Sequence, residues 1–82
     1  MAINTFTIHF ILKLEKVNKL GIVPIFAKIR LNGKKLEIST NRNILPPQWH
    51  TAEQCAFPVS EALEQLNEHL EYFKVKLYST YS

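Results

Sequence analysis

Lys13, Lys16, Lys19, Lys28, Arg30, Lys34, Lys35 and Arg42 place eight of the ten basic residues before residue 51, where only Glu15 and Glu37 oppose them. Residues 1–50 therefore carry a net +6, and residues 51–82 carry −3. So uneven a distribution suits a chain that turns one side toward a polyanion, nucleic acid first among them. The competing meaning is a basic surface that only keeps the molecule soluble. Other chemistries are poorly provided for. His9, His50 and His69 are scattered, and none stands at metal-ligand spacing with Cys55. His50 and Cys55 lie five residues apart in a loop, which is not the geometry of a thiol–imidazole dyad. Two glycines are too few for a loop that cradles phosphate. Glu61, Glu64, Glu68 and Glu71 recur at mostly helical spacing and read as the wet face of a helix. The sequence predicts no catalytic, metal or cofactor site.

Size and composition agree with a small binding domain. Eighty-two residues make one domain, 1–82, and leave little core from which to carve a catalytic cleft. With 46% hydrophobic and 21% charged residues the chain has the balance of a folded protein rather than a disordered one. No run of 18 apolar residues is present, so no membrane-spanning helix is expected. The N-terminus lacks the basic region and small-residue cleavage site of a signal peptide. A single cysteine cannot form an internal disulfide, and the expectation is a cytoplasmic protein.

The basic residues sit on recognisable elements. In residues 6–14 (FTIHFILKL) the even positions Phe6, Ile8, Phe10, Leu12 and Leu14 are all apolar, the period-two pattern of a half-buried strand. Residues 23–32 (VPIFAKIRLN) repeat it on odd positions, with Phe26, Lys28 and Arg30 on the other side. Asn32-Gly33 is the strongest short hairpin signal, because a type I′ turn needs positive φ at both central positions. Residues 34–40 then give a third strand, with Leu36 and Ile38 inward and Lys35, Glu37 and Ser39 outward. Residues 41–58 form a connection, stiffened toward an extended path by Pro46 and Pro47 and anchored by Ile44 and Trp49. A helix is predicted over about 60–78. Ser60 is its N-cap, Glu61 and Glu64 occupy its first turn, and Lys74 and Lys76 its last turns. Leu63, Leu66, Leu70, Phe73 and Leu77 form its apolar stripe.

Three strands with one apolar face each, and one helix with one stripe, combine most economically as an α+β fold. The expected arrangement is a three-stranded antiparallel sheet, second strand central, packed on one face by the C-terminal helix. Its other face stays open and carries Thr7, His9, Ile11, Lys13, Phe26, Lys28, Arg30, Lys35, Glu37 and Ser39. The major groove of B-DNA admits such a β-ribbon. Lys28 and Arg30 on the central strand are placed for base edges, since arginine to guanine is the commonest specific contact. Lys13, Lys16, Lys34, Lys35 and Arg42 are placed for phosphates at the margins. Phe26 or Ile11 suits a thymine methyl, and His9 lies on the same face. A face decorated with lysine to prevent strand pairing is the structural alternative.

The run FTIHFILKLEKVNKLGIVPIFAKIRLNGKKLEIST, followed by RNILPPQW, closely resembles the N-terminal arm-type DNA-binding domain of tyrosine recombinases from Bacteroidetes mobile elements. The segment VPIFAKIRLNGKKLEIST mirrors that family's PIYLRITVNGKRAEIST pattern, and PPQW its P-x-x-W turn. Lys19 and Gly21 in the first loop, the Leu66-Asn67 pair and a tyrosine near the end of the helix also fit, so that the resemblance covers about residues 5–80. It implies a module that binds double-stranded DNA at accessory arm sites by placing its sheet in the major groove. Other domains of the recombinase would bind the core site and cut.

Those other domains, with their Arg, Lys, His and Tyr machinery, do not follow here, so the chain is expected to be an excised domain, or alternatively a free-standing fragment, without enzymatic activity. Tyr72, Tyr78 and Tyr81 have no catalytic company and are not nucleophiles. Residues 51–58 (TAEQCAFP) are less basic than the family's loop and are assigned no DNA contact. The alternative function is a protein-interaction module that meets other recombinase domains or subunits through its helix or a sheet edge.

Overall fold

A computed structural model describes residues 6–81; residues 1–5 and 82, which the sequence analysis counted within the domain, lie outside it. Strands β1 (Phe6–Leu12), β2 (Val23–Leu31) and β3 (Lys34–Ile44) form an antiparallel sheet in the order β1-β2-β3. A second, two-residue ladder joins β4 (Trp49–His50) to β5 (Cys55–Ala56), and helix α1 (Glu61–Tyr81) follows. The α+β arrangement expected from the strand and helix periodicities is the one observed.

The hairpin between β2 and β3 turns on Asn32 and Gly33, with φ of 50° and 84°. Both are in the left-handed region that a type I′ turn demands. The first strand is shorter than its apolar pattern predicts. Lys13 still donates its N–H to the Pro24 carbonyl at 3.1 Å, but Pro24 has no N–H to return, and the ladder stops at Leu12. Leu14 consequently leaves the sheet for a 3-10 turn, Leu14–Lys16, and is 59% exposed rather than inward.

The third strand is longer than predicted, reaching Ile44 instead of residue 40. Between the pairs Phe26–Ser39 and Ile25–Arg42 the register shifts by two residues, Thr40 and Asn41. Thr40 is buried and its hydroxyl donates to the Ile25 carbonyl at 2.7 Å, satisfying an acceptor that the bulge would strand. Asn41 adopts φ 60°, a conformation asparagine tolerates. Because the insertion is even, Ile38 and Ile44 keep the same face.

Ile8, Phe10, Val23, Ile25, Ala27, Ile29 and Ile44 from the sheet pack with Trp49, Ala56, Leu63 and Leu70 into one core. Phe6, Leu66, Phe73 and Leu77 border it, as the helical stripe requires. The Phe10 and Phe73 ring centroids are 6.4 Å apart, and Phe6 meets Tyr78 edge to face at 5.0 Å. Leu36, expected inward, does lie opposite Ile29 in the register, yet it is 44% exposed at the outer edge of the sheet.

Ser60 caps the helix as predicted, its Oγ accepting the Leu63 N–H at 3.2 Å. The helix runs on to Tyr81, so Lys74 and Lys76 stand short of its last turn, which holds no basic residue. Pro46 and Pro47 do not hold an extended path. They open a 3-10 turn, Pro46–Gln48, whose φ the pyrrolidine ring already supplies. Ile44 and Trp49 on either side of it are buried, as their role as anchors requires.

Candidate nucleic-acid interface

The face of the sheet turned away from α1 is organised in three cross-strand rows. Thr7, Arg30 and Lys35 form the row nearest the hairpin turn; His9, Lys28 and Glu37 the next; Ile11, Phe26 and Ser39 the third. Neighbouring strands are about 4.8 Å apart, so each row is within reach of a single ligand edge. Central strand β2 contributes Lys28 and Arg30, two residues apart and therefore on one side.

Beyond the third row the chain leaves β1 through Lys13 and the 3-10 turn. The Lys13 and Lys16 ammonium groups stand 5.3 and 5.2 Å from the centroid of the Phe26 ring, within cation–π range. Lys13 also makes an ion pair with Glu37 and lies 4.0 Å from Glu15. The hydrogen bond to Glu37 raises the Lys13 pKa, and the same bond holds the Glu37 carboxyl below its ordinary range, with Lys28 and Lys16 adding to the effect. Glu37 is the one acid among the ten residues assigned to this face, and it neutralises a lysine that would otherwise face a ligand. Glu37→Gln is therefore expected to tighten binding to any duplex, and to steepen the dependence of log K on log salt by about one unit as Lys13 becomes free for a phosphate. Titrations at several salt concentrations check this; an unchanged slope would show that Lys13 stays out of reach of DNA.

Of the residues singled out in the sequence, His9, Lys28, Arg30 and Lys35 come together as the floor of a groove of about 520 Å³. Lys13, Lys16 and Phe26 form the cluster at the other end of the same face. Lys34 follows the turn at the hairpin tip and is exposed beside Lys35. Arg42 is not brought to this face. It lies past the bulge, paired with core residue Ile25, and its guanidinium turns toward the helix, 3.4 Å from His69 Nδ1.

One wall of the groove was not foreseen. The loop between β4 and β5 lies along the outer edge of β1, bringing Thr51 and Gln54 to the groove. Gln54 Oε1 accepts the Phe10 N–H at 3.1 Å, doing for an edge strand what a neighbouring strand's carbonyl would do. Its Nε2 lies 2.9 Å from His9 Nδ1. The loop is held from behind by α1. Asn67 accepts the Ala56 N–H at 2.8 Å and donates to the Ala56 carbonyl at 2.9 Å. The TAEQCAFP segment, which holds Glu53 and no lysine or arginine, gives no charge signal for this; the only hint is that a free strand edge needs something to close it.

The arrangement is chemically simple: an open, cation-lined β-surface, with no group of three or more His, Cys, Asp or Glu side chains disposed to hold a metal among the described residues. No helix among them is long and apolar enough to cross a membrane. No curated protein and no solved structure matches the chain. A family of DNA-binding modules does match, the Arm DNA-binding domain, over residues 10–82, a span that takes in the end of β1, from Phe10, and everything after it. The match spans well over half of the sequence and includes β2, β3 and α1, and the chain belongs to the Arm DNA-binding domain family.

Proposed function

We propose that this chain is the arm-site-binding module of a tyrosine recombinase of the kind carried by Bacteroidetes mobile elements, and that it lays the open face of its sheet in the major groove. The observation that carries the proposal is the placing of Lys28 and Arg30 at the centre of that face, between His9 and Lys35 on the flanking strands. A β-surface enters the major groove with its central strand deepest, so Arg30 reaches base edges while the outer lysines stay with phosphates. The module itself is non-catalytic. It works inside the cell, tethering the recombinase to DNA at accessory sites while other domains or subunits perform strand exchange.

Titration of duplex DNA against the protein, followed by amide shifts, tests this. Shifts are expected on β1, β2 and β3 residues of the open face. About four to six neutralised phosphates give a slope of log K against log salt of roughly −4 to −5. Arg30→Ala is expected to cost about 1–3 kcal/mol on the preferred sequence and much less on random DNA, whereas Lys34→Ala weakens both alike. Equal losses from Arg30→Ala on both would make it a phosphate contact only. Shifts confined to the outward Tyr72 and Val75 side of α1 would replace this reading with that of a protein-interaction module.

A further inference from the structure

We propose that Gln54 is a positioning residue for sequence readout: it holds the His9 imidazole in the form protonated on Nε2 and not on Nδ1, so that His9 presents a single N–H donor to an acceptor on a base edge. The inference rests on the reading of the groove as a DNA surface.

The argument is a chain of hydrogen-bond polarities. A backbone N–H can only donate, so the Gln54 atom 3.1 Å from the Phe10 nitrogen is the amide oxygen. The amide nitrogen is then the atom 2.9 Å from His9 Nδ1, and an NH₂ group can only donate. His9 Nδ1 must accept and carries no proton. The ring's remaining proton sits on Nε2. The Phe10 main chain thus sets the orientation of Gln54, and Gln54 sets the tautomer of His9.

Backbone geometry supports a role for this side chain in particular. Gln54 has φ 54°, a left-handed conformation that glycine or asparagine adopts at lower cost. Neither has the reach to bridge Phe10 and His9. Both ends of the bridge open on the groove floored by Lys28 and Arg30. Lysine and arginine are also donors, but they are cationic and favour phosphate as readily as a base. A neutral imidazole N–H gains little from bulk phosphate charge, so it discriminates where they do not. Its acceptors in the major groove are purine N7, guanine O6 and thymine O4, and cytosine offers it none.

Gln54→Glu separates this role from simple closure of the β1 edge. The glutamate still accepts the Phe10 N–H, but its second oxygen faces His9 and calls for a proton on Nδ1. Two measurements decide the matter. Long-range ¹H–¹⁵N correlation of the His9 ring at pH 8, where an ordinary imidazole is neutral, is expected to show Nε2 protonated in the parent chain and Nδ1 protonated in Gln54→Glu. Selection from a pool of duplexes with a randomised centre then gives a preferred sequence. His9→Ala is expected to weaken that duplex about tenfold and to leave a scrambled duplex unaffected, with Gln54→Glu altering base preference at the same position. A parent ring protonated on Nδ1, or a Gln54→Glu selection identical to the parent's, overturns the inference. If Arg30→Ala and Glu37→Gln alter DNA binding while His9 and Gln54 variants do not, only this inference falls. If the parent selects no sequence and none of the four variants alters binding, the groove is not a DNA surface and both readings fall.

Discussion

Replacing Leu70 by alanine is expected to remove about 2–5 kcal/mol of unfolding free energy, the range for a leucine truncated inside a core that cannot fully collapse. Leu70 is 2% exposed and lies midway along the apolar stripe of α1, in the cluster that includes Phe10, Ile25, Ala27 and Ile29. A domain of this size has about 5–15 kcal/mol in all, so a loss of that order lowers the midpoint of a thermal melt by ten degrees or more. Urea unfolding measures the effect directly. Tyr72→Ala, on the exposed side of the same helix, is the control and is expected to stay within about 0.5 kcal/mol of the parent. Equal midpoints for Leu70→Ala and the parent would mean that the helix faces the sheet with a different stripe.

Asn67→Ala is expected to cost about 2–4 kcal/mol, because it strands two backbone groups at once. Ala56 is fully buried, and its N–H and carbonyl both depend on the Asn67 carboxamide. Asn67→Asp keeps the acceptor but sets an oxygen against the Ala56 carbonyl, so it recovers only part of the loss. The measurement is again denaturant unfolding, with the Ala56 and Gln54 amides watched by hydrogen exchange. A purely local loosening of the β4–β5 hairpin at unchanged global stability would show that the clamp holds the groove wall and not the domain.

The difference between these two residues marks how far the sequence could be read. Leu70 was legible as part of a 3-4-3-4 spacing, and the alternation in β1 and β2 identified both the buried and the open faces, with Lys28 and Arg30 on the right one. Local signals were equally reliable where one residue type dominates the geometry, as at Asn32-Gly33 and Ser60. What was not legible depends on polar side chains that reach across the chain. Asn67 was visible only as part of a family pattern, with no partner indicated. The bulge at Thr40 and Asn41 hides because an even insertion leaves the alternation intact, so the third strand was ended at residue 40 and Arg42 was read as part of the connection that follows. The β4–β5 hairpin is only two residues long on each side, too short for periodicity to reveal. The wall it builds therefore had no signature before the fold was known.

The link between Phe10 and Gln54 also has a bearing on the order in which the molecule assembles. It joins residues 44 positions apart, against 11 for the Asn67–Ala56 clamp and a two-residue turn for the β2–β3 hairpin. Closing a loop costs more as it lengthens, though slowly; the two doublings from 11 to 44 add about 1.2 kcal/mol. The hairpin and the helix with its clamp are local and can form independently. The bridge across the edge of β1 waits until these two halves have docked. We expect the cationic floor to exist before its wall does, so that the groove acquires its shape in the final step of folding and is the first part of the molecule to lose it.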